Sequence, residues 1–443
     1  MGGRPAKNGH RQNSRSDKEL KKAPGRDIID RKDMVVEKLF LDNFRGFSKQ
    51  YIDILDVNFL VGENSSGKSS VLMALNTISH PGFWVNPEFN TGDSQAYSFD
   101  DLVSAETSDK SSFRIGYFQE QNLEIVSFIF EFINLNGKPV ISRGAFEKEK
   151  SVFYFFCEDD KVKYKIMKGE SILPDGMKDF PKNEKFQTSA FATRSMPNSP
   201  MMILSVFDFA LKNKKASFPE QLPMLNVTPI APIRSKPKKT YDEPGTLESS
   251  EGDHIPYEIR RLLKTKNKFS QEINMFGEQS GLFKNIDIKE YESTDDAPFR
   301  MNFILDKEPI NIVNIGYGVS QVLPVLFTLL TQKNSMITIQ QPEVHLHPKA
   351  QAAMGDLFFD LSIGKFKKRS FVETHSDYLI DRFRRKQRQT DEKSNAHVIF
   401  FLRKDGINKA FSIKIDDNGN YDADQPEEFR EFFIKEQIEN LGL

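Results

Sequence analysis

The sequence predicts an α/β fold with a mixed sheet split along the chain, and three observations predict it. Gly62 to Ser69 has the spacing Gly-x-x-x-x-Gly-Lys-Ser and lies between an apolar strand pattern and a helix pattern. Five β runs follow one another between 111 and 167. After 299, apolar strands alternate with helix patterns, the order that builds a parallel sheet covered by helices.

Taken in order, residues 1–33 are polar and rich in Arg, Lys, Gly, Ser and Asn. They bury too little apolar surface to offset ordering entropy and are expected to form a disordered basic tail. The first part of the folded body is expected over 34–169. It has a strand at 34–41, the turn Asn43-Phe44-Arg45-Gly46-Phe47, one strand over 52–59 leading into the octet, and a helix through Val71-Leu72-Met73-Ala74-Leu75. An antiparallel meander follows at 112–118, 123–132, 140–146, 152–156 and 162–166, with Asn136-Gly137 as a two-residue hairpin turn.

Residues 170–298 are the least legible. Helix patterns at 201–212, 257–266 and 271–283 stand between loops such as Ser235-Lys236-Pro237-Lys238-Lys239, and the stretch reads as a mostly helical insertion. The second part of the body, 299–443, reads as helix 318–331, strand 336–339, helix 350–361, strand 370–373, helix 378–388, strands 398–402 and 410–415, and a closing helix at 426–440.

With 443 residues, a net charge of −1 and 28% charged residues, the chain has no global field that would attract nucleic acid or a membrane. One cysteine, Cys157, excludes a disulfide framework and suits a reducing compartment. The best apolar run, Met201 to Phe207, stops at Asp208, too short to cross a bilayer, and no secretory signal is visible. A soluble cytoplasmic protein without a membrane partner is expected.

The octet carries the chemistry. Gly62 and Gly67 let backbone amides turn toward an anion, and the helix after them aims its positive dipole end at phosphates. Lys68 would neutralise β/γ oxygens, Ser69 would hold Mg²⁺, and Asn64, Ser65, Ser66 and Ser70 complete the wall. A second Gly-rich turn opens an apolar helix at Gly316-Tyr317-Gly318-Val319-Ser320-Gln321, so Ser320 starts a second anion site. Two buried strands end in polar residues: one in Gln340-Gln341-Pro342-Glu343-Val344-His345-Leu346-His347-Pro348, the other in Glu373-Thr374-His375-Ser376. His375, after a buried strand, suits a hydrogen bond to a γ-phosphate. His345 and His347, two apart with no third ligand, do not read as a zinc site. Asp416-Asp417-Asn418-Gly419-Asn420 reads as a hairpin turn and not a calcium loop. Arg382, Arg384, Arg385, Lys386 and Arg388 share one helix; it is either a solvated basic face or a track for a phosphate backbone.

On these residues the chain resembles the ABC-type ATPase heads of the RecF, OLD-nuclease and chromosome-maintenance group, most closely their short bacterial relatives. Gly62–Ser69 matches the Walker A loop, Gly318-Val319-Ser320-Gln321 the signature, Gln340 to Pro348 the Walker B strand and tail, and Thr374-His375-Ser376 the switch histidine, in the family's order. The resemblance covers 34–78 and 299–403. In between, only the meander and Ile230-Ala231-Pro232-Ile233-Arg234 look similar. It implies a split ABC-type P-loop ATPase head in which two copies sandwich ATP and Mg²⁺, each site built from one head's Walker A and the other's signature. Arg45 resembles the residue near the nucleotide, and Phe44 or Phe47 either supports the base or packs in the core. Gln119 and Gln121 are candidates for the Q-loop glutamine.

The departure from the family lies at Walker B, where Gln340 and Gln341 stand in place of an Asp and a Glu. Gln340 would face the metal. Gln341 would orient the attacking water but cannot take its proton, so hydrolysis is expected to be slow, with Glu343 as the substitute carboxylate and His375 beside it. No sustained heptad array is visible over 79–298, which argues against a long coiled-coil tether. Residues 395–443 are too few for an appended metal-binding nuclease domain. The expected function is therefore an ATP-dependent homodimer or higher oligomer controlling a separate effector protein, which the resemblance places in anti-phage defence. The alternative is a DNA-structure clamp in repair or recombination.

Overall fold

The computed structural model describes residues 37–431 except 91–95, 97, 120–126, 149, 159–160, 170–179, 182–184, 190–197, 213–221, 223, 243–248, 266–267, 295–296, 334 and 365–366. The expected tail, Gln121 and most of the closing helix lie outside those residues.

The chain opens with β1 (Glu37–Asp42), β2 (Gln50–Ile54) and β3 (Val57–Gly62), then α1 (Lys68–Ser79) and the short α2 (Pro81–Val85). The single strand expected over 52–59 is two strands. The Asn58 side chain accepts the Leu55 N–H at 2.8 Å and donates to the Leu55 carbonyl at 2.9 Å, which pins a turn at Leu55-Asp56. The chain therefore leaves one sheet and enters another immediately before the glycine-rich loop.

The meander is as expected: β4 (Ser112–Gln119), β5 (Ser127–Leu135), β6 (Lys138–Lys148), β7 (Ser151–Glu158), β8 (Lys161–Lys168) and the two-residue β9 (Gln187–Thr188). With β1 and β2 they form an eight-stranded sheet in the order β2-β1-β4-β5-β6-β7-β8-β9, with antiparallel neighbours. Asn136 (φ 54°) and Gly137 (φ 82°) make the tight turn between β5 and β6. The inner face is aromatic: Phe113, Phe128, Phe130, Phe132, Phe146 and Phe155 are buried against Trp84 of α2, the apolar face of α1 and α3 (Pro200–Lys212). Rings at T-shaped and offset angles fill this layer, and burial of that size dominates its stability.

The rest of the chain supplies β10 (Val227–Ile230), α4 (Ile255–Lys264), α5 (Lys268–Ser280), β11 (Asn285–Glu290), β12 (Phe299–Ile304), β13 (Pro309–Asn311), α6 (Tyr317–Thr331), β14 (Met336–Gln340), α7 (Pro348–Ser362), β15 (Arg369–Glu373), α8 (Asp377–Gln389), β16 (Ala396–Lys404) and β17 (Ile407–Ile415). A six-stranded sheet runs β10-β14-β15-β3-β16-β17; its neighbours are parallel except for the β16–β17 hairpin. β11, β12 and β13 form a small antiparallel sheet.

The stretch read as an insertion is woven into this body. β10 is the edge strand of the six-stranded sheet, and α4 and α5 bury Ile255, Ile259, Ile273 and Phe276 in the same core as α6 and α7. A four-residue strand containing Pro229 gives little periodic signal, and proline is tolerated there because the strand is at an edge.

His397 of β16 is fully buried beside β3. Its Nε2–H donates to Asn58 Oδ1 at 2.7 Å, and its Nδ1 accepts from the Ser412 hydroxyl at 2.6 Å, a tautomer assigned because Asn58 Nδ2 already donates to two carbonyls. Burial pushes its pKa down to about 3. Among the described residues no helix is long and apolar enough to cross a membrane. The carboxyl ends of β3, β15 and β14 lie side by side, the place where open α/β sheets bind ligands.

Candidate nucleotide site

The loop after β3 adopts the backbone its glycines allow. Gly62 has φ 142° and Gly67 has φ 106°; a Cβ at Gly62 would lie 2.2 Å from the Phe401 carbonyl, and one at Gly67 would lie 2.5 Å from Phe47 Cζ. α1 begins at Lys68, directly after Gly67. Lys68 is buried, and its Nζ donates to the carbonyls of Gly62 (2.8 Å) and Glu63 (2.7 Å). Burial lowers its pKa while Glu373 and Glu63 pull the other way. Ser66 is fully buried and its hydroxyl donates back to Glu63 O at 2.7 Å, so it shapes the loop. Asn64, Ser65, Lys68, Ser69 and Ser70 border a cavity of about 490 Å³ together with Arg45, Glu373, Arg403 and Asn408. That volume falls in the range of roughly 300–1,000 Å³ usual for ligand pockets.

Arg45 stands at the cavity wall. Its Nε donates to Ser70 Oγ at 3.1 Å, and its Nη1 reaches Met73 Sδ and the Asp101 carbonyl, each at 3.4 Å. Its own carbonyl accepts from Asn408 Nδ2 at 2.9 Å, and Arg403 Nη1 donates to Asn408 Oδ1 at 3.3 Å. Phe44 and Phe47 are fully buried: Phe44 packs on Phe89 and Phe113, and Phe47 packs on Phe401 beneath Gly67. Both are core residues, so neither supports a base.

The ends of β14 and β15 differ. Gln340 pairs in register with Glu373, but only Glu373 borders the cavity; its carboxylate accepts from Ser69 Oγ, with Oε2 at 3.0 Å and Oε1 at 3.3 Å. Burial raises the Glu373 pKa above the usual carboxylate value, opposed by Lys68 and Ser69. Gln341 has φ 46° and donates its N–H to the Glu373 carbonyl at 2.8 Å. Arg234, buried, donates through Nη2 to the carbonyls of Gln340 (2.9 Å) and Gln341 (3.4 Å) and so fixes the end of β14. Its pKa falls to about 10 because of burial, against the pull of Glu343.

Glu343 turns toward β15: its Oε1 accepts the His375 N–H at 2.7 Å, and its Oε2 is buried without a hydrogen-bond partner among the described residues. The His375 pKa is lowered by partial burial, with Lys68 adding to the effect, so the imidazole is neutral at pH 7 and has one N–H to give.

A family described as an AAA ATPase domain matches residues 34–199 and 239–380. The chain belongs to it. No curated protein matches. Among solved structures it is similar to an SMC head bound to the C-winged helix domain of ScpA, at 14% identity over 86% of this chain and 98% of that one, with a TM-score of 0.43. It is also similar to the SMC head domain from Thermotoga maritima (11% identity, 86% and 99% coverage, TM-score 0.37). A third is the Smc head with an extended coiled coil bound to the C-terminal domain of ScpA derived from Pyrococcus furiosus (12%, 86% and 97%, 0.41).

In this AAA ATPase the start of α6 is set apart from the cavity just described. A Cβ on Gly318 would lie 2.6 Å from the His345 carbonyl, and the Tyr317 ring stands on His345 at 5.0 Å, so the helix start is locked to the loop after β14. Ser320 Oγ donates to the Tyr317 carbonyl at 2.7 Å and borders a different cavity of about 240 Å³; Gln321 Nε2 is buried without a partner among the described residues. His347 caps α7, its Nδ1 accepting the Lys349 N–H at 3.3 Å.

The basic helix α8 serves the fold of this AAA ATPase. Arg382 pairs with Asp356 at 3.0 Å, Lys386 with Asp360 at 2.5 Å and Arg384 with Asp381 at 2.9 Å, while Arg384 and Arg388 also donate to the Gly419 and Asn418 carbonyls. Four of the five bases, read as either a solvated face or a track for a phosphate backbone, are thus engaged with neighbouring groups. The turn they hold is the expected hairpin, with Asp416 Oδ1 accepting the Asn418 and Asn420 N–H groups. Gln119 donates to Glu37 at 3.1 Å, away from the cavity. Sequence reasoning missed Glu373, Arg234, Arg403 and Asn408. For Glu373 a signal was present, a carboxylate as the last residue of a buried strand next to the Walker A strand.

Proposed function

We propose that this ATPase binds ATP with Mg²⁺ in the cavity around Gly62–Ser70, hydrolyses it slowly, and pairs with a second copy across the nucleotide. The observation that carries the reading is Lys68: a buried ammonium whose hydrogen bonds among the described residues go to two loop carbonyls, at the N-terminus of a helix and on the wall of an open cavity. Phosphate oxygens would replace weaker carbonyl partners there, and loop amides and the helix dipole favour the same charge. Ser69 would hold the metal, Ser65 and Asn64 would close the loop side, and Arg45 would add positive charge beside Ser70. The site residues present fit a magnesium nucleotide, which supplies an electrophilic phosphoryl group and a hard cation.

The hydrolytic roles rest on the motif resemblance, since Gln341, Glu343 and His375 do not line the cavity around Lys68. On that reading His375 would donate to the γ-phosphate edge, Gln341 would orient the attacking water, and Glu343 would take the proton an amide cannot take. Pairing is supported by the position of Ser320 and Gln321 on a helix start outside the cavity they would complete. A homodimer or larger homo-oligomer controlling a separate effector protein, in anti-phage defence, is the cellular reading. It rests on the resemblance of the motifs. The DNA-clamp alternative has less support, because Arg382 and Lys386 pair with Asp356 and Asp360 of α7, and Arg384 and Arg388 donate to the Gly419 and Asn418 carbonyls.

Calorimetry with ATP and Mg²⁺ tests the site. Lys68→Ala should weaken binding by roughly a hundredfold or more, since charged hydrogen bonds to phosphate are lost. Wild-type affinity in that variant would contradict the assignment.

A further inference from the structure

A Walker B strand that ends in two glutamines leaves a magnesium nucleotide without the carboxylate it ordinarily shares. An amide oxygen can ligate Mg²⁺ but brings no negative charge, and Mg²⁺ bound through phosphates usually takes one or two carboxylates as well. β14 offers none at this edge: Gln340 does not border the cavity, and the Gln340 and Gln341 carbonyls accept from Arg234. Glu343 is held at the His375 amide.

One strand nearer the glycine-rich loop, Glu373 closes β15 opposite Leu60 of β3 and opposite Gln340 of β14. It is 7% exposed, borders the cavity, and both its oxygens lie within 3.3 Å of Ser69 Oγ. A hydroxyl and a carboxylate that share a hydrogen bond at a phosphate-sized cavity are spaced so that a small hard cation can take the proton's place between them. We infer that Glu373, and not either glutamine of β14, is the carboxylate that holds the divalent cation of the bound nucleotide, together with Ser69. The charge has moved to the neighbouring strand at the same register level, which is why the Walker B glutamines do not leave the site without one. The inference rests on the nucleotide reading of the cavity.

The test is calorimetry of ATP binding to the full chain in Mg²⁺ and in EDTA, backed by electron paramagnetic resonance of Mn²⁺ added to the ATP-saturated protein. Wild type should bind ATP more tightly with Mg²⁺ than in EDTA. Glu373→Gln should bind ATP in EDTA at least as well as wild type, yet lose roughly tenfold or more of the metal-dependent gain and the protein-perturbed Mn²⁺ signal. A full metal-dependent gain in Glu373→Gln, or loss of the gain in Gln340→Ala alone, would overturn the inference. If Glu373→Gln fails to bind in EDTA, Glu373→Asp decides: a weakened gain supports the role and an unchanged one overturns it. Wild type that binds no ATP in either condition refutes the nucleotide reading itself.

Discussion

The loop after β3 and the start of α6 are both glycine-flanked helix N-termini, yet the protein treats them differently. Around the first, side chains from β15, the β16–β17 hairpin and the turn at Arg45 converge on one cavity, and a buried lysine and a buried carboxylate both line it. At the second, Ser320 bonds its own helix turn, Gln321 keeps an unpartnered amide, and Gly318 is pressed on His345. One terminus is finished by its own chain; the other is built rigidly but not completed. On the proposed reading, the first binds the nucleotide and the second is completed by the nucleotide of another copy.

Alanine at a glycine of each terminus sharpens that comparison most. Gly67→Ala combines a positive φ with a 2.5 Å approach to Phe47, so it should abolish ATP binding in a calorimetric titration, whereas Gly316→Ala, with nothing within 4 Å, should bind as wild type does. Equal effects at both positions would erase the distinction.

The catalytic edge gives the next largest effect. Gln341→Glu should raise phosphate release from ATP by on the order of 10²-fold if it supplies the missing base, and Glu343→Gln should lower it by a similar factor. A rate unmoved by either change would place the proton acceptor elsewhere.

A smaller effect separates site from scaffold. His397 has a folded pKa of about 3 against an ordinary 6.5, so the unfolded chain binds its proton first on acidification. Its contribution to stability is whole above pH 6.5 and is lost as the pH falls toward 3, at about 1.4 kcal/mol per pH unit at most. His397→Gln should flatten the denaturation midpoint over that window while leaving ATP affinity at pH 7.5 unchanged. A slope equal to wild type would show that His397 does not carry it.

The Walker A loop, the meander and the helices after 299 were legible because each is a long periodic segment or a motif whose spacing is fixed by one ligand. What stayed hidden depends on contacts between distant positions. Asn408 reaches the carbonyl of Arg45 across 363 residues, and Arg234 reaches Gln340 across 106, with no local pattern to announce either. The break at Leu55-Asp56 was lost because apolar residues run on through it, and only the Asn58 side chain marks the turn. The basic stripe on α8 was legible as charge but not as pairing. Its charges were visible, but Asp356, Asp360 and the turn at Asn418-Gly419 that engage them belong to other elements.

The central claim is that one chain supplies the bound nucleotide's pocket and its partner supplies the start of α6. Mixing two damaged chains tests it most directly. Lys68→Ala should not bind ATP, and Ser320→Arg should bind ATP as a single head but fail to pair, because a bulky cation fills the place of the partner's γ-phosphate. Combined, the Lys68→Ala chain still offers an intact α6 start to the intact pocket of the Ser320→Arg chain. The account predicts that light scattering shows ATP-dependent pairing in the mixture and in neither variant alone. Pairing by Ser320→Arg alone at the wild-type ATP concentration, or none in the mixture, would contradict it.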